Sequence, residues 1–223
     1  MKRINWRKYK FHCSSLPCLM TASRTKDPLS ETAKANLREI WIKEKFNREN
    51  YGRVNKFTSK GLEVEQDSLD IVTRIIGKGF LAKNRETLTN NYLIGTPDVV
   101  APFLLDIKSS WDIWTFAEVE ERKAVKDYYW QLFGYAWMLK KKSAKLAYAL
   151  VNTPEQIKTD ELYRLNFKIA PEEVEKAEIN YVFDDIPEKK RVKVFNLHFK
   201  REEILQVMEK LDAAREYLRT LDL

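Results

Sequence analysis

Thiols and imidazoles are scarce in this chain. Its 223 residues include only two cysteines and two histidines. Cys13 and Cys18 are spaced more widely than a Cys-x-x-Cys knuckle, and there is no second pair. A single chain therefore supplies too few thiolates for a four-cysteine zinc site or an iron–sulfur cluster, so neither is expected. Buried free thiols are the expected state instead. His12 and His198 lie too far apart in sequence to suggest an imidazole-based mechanism. No apolar stretch reaches the roughly 18 residues that a membrane span needs. The basic start, Met1 to Lys8, is not followed by an apolar signal region. Internal repeats, low-complexity tracts and an obvious linker are also missing. A cytoplasmic protein with no membrane partner is the expectation.

Charge is what the chain has in quantity, and it is unevenly placed. One third of the residues (33%) are charged, with a net charge of +7. Residues 1–60 hold 15 Lys or Arg against 5 Asp or Glu, a net of +10. Residues 61–223 hold 25 against 28, a net of −3. A basic region ahead of an acidic one suits a binder of phosphate backbones. A solvated basic face is the alternative. The length suits one α/β domain over 1–223, with a basic N-terminal helical region to about residue 60 and a C-terminal helix over about 201–221.

The acids acquire meaning between Gly95 and Lys108. Gly95-Thr96-Pro97-Asp98 is followed by the uncharged run Val99 to Leu105, and then by Asp106-Ile107-Lys108. In a strand, side chains alternate faces, so Asp106 and Lys108 share one face while Ile107 points into the core. Two converging carboxylates could hold a divalent cation through oxygen, and an adjacent lysine could steady or deprotonate a water. An acid-x-Lys triplet alone is often a solvated strand edge. Here it closes an apolar run, where an unpaired acid is costly.

This pattern resembles the PD-(D/E)xK nuclease superfamily, and further segments are similar to its lambda-exonuclease, YqaJ and RecB-type branch. Gly61 followed four residues later by Glu65 resembles the branch's acidic first motif, on a helix continued by Leu69, Ile71, Val72, Ile75 and Ile76. Downstream, Gln131 and Tyr135 lie one helical turn apart and resemble the Gln-x-x-x-Tyr motif whose polar groups face the active site and DNA. The segment His12 to Leu16 looks like the branch's N-terminal helix start, where a serine and a basic residue take the 5′-phosphate of a DNA end. The resemblance spans roughly Ser14 to Pro154. It departs from the pattern at Asp106, where glutamate is usual, and in a tighter Asp98-to-Asp106 interval.

The resemblance implies a restriction-endonuclease-like core, a mixed central sheet flanked by helices. It implies an Mg²⁺ site, with Mn²⁺ as substitute, held by Asp98, Asp106, Glu65 and the carbonyl of Ile107, with Lys108 orienting or activating water. Ser109 and Tyr135, with Ser15 or Ser14 and Arg24 or Lys10, would contact DNA. An exonuclease acting 5′-to-3′ on duplex ends in phage-type recombination is the leading expectation, in a bacterial or phage-infected cell. An annealing or recombinase partner and a ring-shaped trimer follow by the same resemblance. An endonuclease of restriction or resolvase type, or a DNA-binding protein without catalysis, are the other two possibilities.

Periodicity predicts helices near Ser14–Thr21, Glu31–Asn47, Val125–Lys141, Glu155–Asn166, Pro171–Ile179 and Arg201–Leu221, with Gly77 and Gly79 ending the Glu65 helix. Strands are predicted near Gly79–Lys83, Asn91–Ile94, Val99–Ala101, Phe103–Lys108, Lys145–Val151, Tyr181–Asp184 and Val192–Phe199.

Overall fold

The structure is a computed structural model in which residues 3–50, 56–77 and 81–222 are described. A 3-10 turn at Trp6–Lys8 leads to β1 (Phe11–His12), a second 3-10 turn (Cys13–Ser15) and the short α1 (Leu16–Leu19). The long α2 (Glu31–Phe46) begins at Ser30, whose hydroxyl accepts the Ala33 amide at 3.0 Å, as an N-cap should. Then come α3 (Lys56–Glu63), α4 (Glu65–Ile76), β2 (Leu88–Thr89), β3 (Leu93–Gly95) and β4 (Leu105–Ser109). The second half holds α5 (Ile113–Ala117), α6 (Glu121–Met138), β5 (Ser143–Ala149), α7 (Glu155–Leu165), α8 (Pro171–Ala177), β6 (Val192–His198) and α9 (Glu203–Thr220).

The fold is mixed α/β, as expected, with its strands divided between two mixed three-stranded sheets. In one, β3 runs parallel to β1 and antiparallel to β2. In the other, β5 runs parallel to β4 and antiparallel to β6. The isolated bridge Val99–Leu105 ties the stretch between β3 and β4 to the first residue of β4. Pro97 and Pro102 have no amide hydrogen to donate, so this stretch cannot extend a ladder. The expected strand Val99–Ala101 is thereby reduced to one bridge.

Helices cover both faces of the β4–β5–β6 sheet. On β5, Ala144 and Leu146 join the core shared with α2, α6 and α9, while Ala147 and Ala149 join the core under α4. The period-2 alternation sorts β4 in the same way: Asp106 pairs in register with Leu146 and Lys108 with Tyr148, facing α6. Leu105 and Ile107 face α4.

Several boundaries differ from the sequence expectation. The Glu65 helix is preceded by α3 and broken at Val64, so Glu65 is the first residue of α4 rather than part of a continuous helix. Gly77 ends α4 with φ +64°, a conformation that glycine adopts without strain. Gly79 and the start of the strand expected over Gly79–Lys83 lie outside the described residues, and Leu81–Lys83 is irregular. No strand forms at Tyr181–Asp184. There a 3-10 turn (Glu178–Tyr181) follows α8, and the Phe183 amide donates to Asn152 Oδ1 at 2.7 Å instead of to a ladder. The helix α5, capped by Asp112, carries no apolar periodicity long enough to announce it.

Candidate active site

Strand β4 is an edge strand, and the site is built on its open edge. Ile107 turns its N–H away from β5, and Asp98 Oδ2 accepts that N–H at 2.6 Å. Because N–H and C=O of one strand residue point to the same side, the Ile107 carbonyl also faces the open edge. A strap at Asn84 fixes Asp98: the Asn84 amide donates to the Asp98 carbonyl (2.7 Å), and its side chain donates to the Pro97 carbonyl (3.0 Å). Burial and the nearby Asp106 charge push the Asp98 carboxyl up to about 7, against the pull of the Ile107 amide and Lys108.

Asp106 is buried at 3% exposure. Its Oδ2 lies 2.8 Å from Lys108 Nζ in an ion pair but has no hydrogen-bond partner of good geometry. Its Oδ1 accepts a long hydrogen bond from Gln131 Nε2 (3.3 Å), and the same nitrogen donates to the Tyr135 hydroxyl at 3.4 Å. Burial opposes the charge on Lys108, but the Asp106 carboxylate outweighs it and the ammonium pKa is raised. The same ammonium stands 4.7 Å over the Tyr128 ring. The ion pair with Asp106 thus favours the charged, hydrogen-bond-donating form of Lys108.

Glu65 enters the same cleft from α4. A space of about 480 Å³ is lined by Glu65, Asp98, Ile107, Lys108, Ser109 and Tyr128, among others. Glu65 pairs with Lys83 at 2.6 Å, both side chains being partly exposed. Ser109 shares a 2.7 Å hydrogen bond with Ser68 of α4, which ties the end of β4 to the helix carrying Glu65. The donors that could meet a cation are thus oxygen only, and Asp106 Oδ2 is a buried anionic atom short of partners. This chemistry fits a hard divalent ion. As the side chains stand, no three acidic, imidazole or thiol groups among the described residues are close enough to enclose one. Glu65 would have to exchange Lys83 for the ion.

Asp98, Asp106, Ile107, Lys108, Glu65, Ser109, Gln131 and Tyr135 therefore meet in one region. Ser15 and Arg24 line no part of this cleft. Ser15 is half-buried at the start of α1 and makes no side-chain cap. At four residues, α1 is too short to concentrate a helix dipole, so the N-terminal anion argument for Ser15 loses its physical basis. Arg24 is exposed in the bend that follows.

Sequence reasoning did not assign roles to Tyr128, Ser68 or Lys83. Tyr128 sits one turn before Gln131 on the same apolar stripe, which was the available signal. Nothing local marks Lys83 or Ser68. Lys60 was also missed. It is 1% exposed, donates to the Trp111 carbonyl at 2.7 Å and lies over the Phe183 ring. Burial lowers its pKa to about 8, partly opposed by Asp112.

No protein-family model matches the chain, and no curated protein matches it. Solved structures do. A phage related exonuclease from Haemophilus somnus 129PT superposes with a TM-score of 0.75 at 26% identity, covering 95% of this chain and 94% of that one. The alkaline exonuclease LHK-Exo from Laribacter hongkongensis gives a TM-score of 0.59 at 14% identity, with 96% and 91% covered. LHK-Exo in complex with dAMP gives 0.62 at 14%, with 96% and 89% covered. At 14% identity the likeness is one of fold.

Proposed function

We propose that the protein is a metal-dependent deoxyribonuclease, a DNA exonuclease that hydrolyses phosphodiesters from duplex ends. The observation that carries this is the convergence of Asp98, Asp106 and Lys108 on the open edge of β4, with Glu65 and Gln131 facing them. The full-length likeness to the Haemophilus somnus exonuclease supports the choice of exonuclease within that chemistry.

In this mechanism Asp98, Asp106 and Glu65, with the Ile107 carbonyl, would hold Mg²⁺ or Mn²⁺. When bound, the ion would polarise the scissile phosphate and lower the pKa of a water. Lys108, kept protonated by Asp106, would orient the attacking water and donate to charge developing on the phosphate. Gln131 holds Asp106 in position. Ser109, on the cleft, would meet the DNA backbone, whereas Tyr135 is 5% exposed and lines no part of the cleft, so it would back Gln131 rather than touch DNA. The 5′-to-3′ direction, and delivery of the resulting single strand to an annealing or recombinase protein, extend the same proposal.

The test is incubation of the purified protein with Mg²⁺ and end-labelled linear duplex, nicked circle and covalently closed circle. Progressive loss of the linear duplex with closed circles intact is expected. Discrete linear products from closed circles would replace the exonuclease with an endonuclease. A 5′-phosphate that accelerates degradation relative to a 5′-hydroxyl would support the direction.

A further inference from the structure

A second cleft, of about 470 Å³, lies at the far end of α6. Two basic runs distant in sequence meet there, Lys140-Lys141-Lys142 after α6 and Lys200-Arg201 after β6. The Phe199 amide donates to the Lys142 carbonyl at 3.0 Å and joins the two runs. Between them, partly buried Trp137, Phe199 and Ile204 form an apolar wall. Among the described residues no acid lines this cleft. The C-terminal end of α6 favours cations at Lys140–Lys142, but it does not account for Lys200 and Arg201, which arrive from a second segment. Lys140 sharpens the point. It holds φ +55°, a left-handed conformation that favours glycine, yet the position carries a lysine.

We propose that this cleft binds a single strand of nucleic acid, with the cations on its phosphates and a base against Trp137 and Phe199. The proposal rests on the nuclease function above and extends it to where a strand is held. Helix α6 joins the two places: Tyr128 lies beneath Lys108 in the catalytic cleft, and Trp137 lines the second. Nine residues of helix at about 1.5 Å each separate them by about 14 Å. Nine residues are also about two and a half turns, so the two side chains leave α6 on opposite sides, and a strand engaging both must pass around the end of the helix. Basic grooves with aromatic walls bind strands with little sequence preference, because every base has a π-face. The lining offers no amide or carboxylate side chain to read base edges. An acidic peptide with an apolar anchor is the competing occupant.

The experiment uses full-length protein carrying Asp106→Asn, a fluorescent oligothymidylate of about ten nucleotides and a salt titration followed by anisotropy. The triple variant Lys140→Gly/Lys200→Gln/Arg201→Gln should bind about tenfold or more weakly. Its log K against log salt should flatten by about two units, at roughly 0.7 for each phosphate no longer neutralised. Lys140→Gly alone should melt at or above the parent temperature while weakening the oligonucleotide, which separates binding from folding. In the catalytically intact protein, the triple variant should cut a short duplex at the parental rate and degrade a long one more slowly. Unchanged affinity and salt slope in the triple variant would overturn the proposal. So would displacement of an acidic, aromatic peptide by these substitutions with oligonucleotide binding intact. If the protein cuts no DNA yet binds the oligonucleotide through these residues, the nuclease function fails and the cleft stands. Cutting with no effect of the triple variant is the reverse.

Discussion

Lys108 Nζ lies 2.8 Å from Asp106 Oδ2, and that carboxylate is 4% exposed against 26% for the lysine. One partner is thus sealed in the protein and the other reaches the cleft. A buried carboxylate needs a counter-charge, and the two residues before and after Ile107 share a face only because the strand alternates. The pairing holds Lys108 at the cleft, where in the proposed mechanism it would donate to an attacking water. It also makes the two residues interdependent in stability.

Lys108→Ala should lower the rate by about 10²–10⁴-fold. Contrary to what a purely catalytic lysine would show, it should also destabilise the fold, by about 1–3 kcal/mol, because Asp106 loses its charge partner. Adding Asp106→Asn should restore much of the melting temperature and none of the activity. A Lys108→Ala protein with near-parental turnover would reduce the triplet to a structural strand edge.

Activity should require Mg²⁺ or Mn²⁺ and vanish in chelator. Zn²⁺ should serve poorly, since the cleft offers oxygen and neither thiolate nor imidazole. Asp98→Asn and Asp106→Asn should each remove activity, and Glu65→Gln should reduce it severely. Undiminished cleavage in excess EDTA would exclude the metal mechanism.

Asp98 sets a pH dependence. Its carboxyl is raised to about 7 in the folded protein, from an unfolded value near 3.9. The folded state therefore holds this proton more tightly, and the stability it contributes is full below pH ~4 and lost as pH rises through about 7. In chelator, thermal melts of the parent should fall across this window relative to Asp98→Asn, which lacks the titration. Divalent-ion affinity should move the opposite way and increase up to and past pH 7, since the ion must displace the proton. Parallel melting curves for parent and Asp98→Asn over that range would show that folding does not raise the pKa of this carboxyl.

Lys83 would compete with a bound ion for Glu65. The pair is partly exposed, so it is worth less than about 1 kcal/mol, or roughly fivefold in affinity. Lys83→Ala should leave Mn²⁺ affinity equal or a few-fold tighter by calorimetry, whereas Glu65→Gln should weaken it. A marked loss of affinity in Lys83→Ala would show that the lysine positions Glu65 rather than competes for it.

Two glycines allow the close approach of the first sheet to α6. A Cβ at Gly95 would stand 2.7 Å from Tyr135 Cε1, and one at Gly134 would meet Leu16 Cδ1 at 2.8 Å and Cys13 Sγ at 2.9 Å. Both alanine variants should be destabilised by about 1–3 kcal/mol. Gly95→Ala should in addition lower activity, because the Tyr135 ring it displaces lies next to Gln131 and Asp106. Equal activity losses in the two variants would point to packing alone.

Local pattern was enough for the facing of the side chains on β4. An uncharged run ending in Asp-x-Lys can keep its alternation only with Asp106 and Lys108 on one face, and no distant contact is needed to know it. The same holds for α2, α6 and α9, whose apolar stripes, and for α2 the Ser30 cap, are written in contiguous residues. Other features depended on segments meeting across the fold. Lys83 finds Glu65, Ser68 finds Ser109, and Lys60 is buried against Trp111 and Phe183 through packing of elements that share no local signal. Tyr181–Asp184 reads as a strand by composition, but its Phe183 amide is taken by Asn152, 31 residues away in sequence, and no ladder forms. The basic cleft has the same origin. Lys140 to Lys142 and Lys200-Arg201 read as ordinary solvated charge until β5 and β6 pair and bring Phe199 onto Lys142. Side-chain periodicity belongs to the chain, whereas which charges become neighbours is settled by strand order and register.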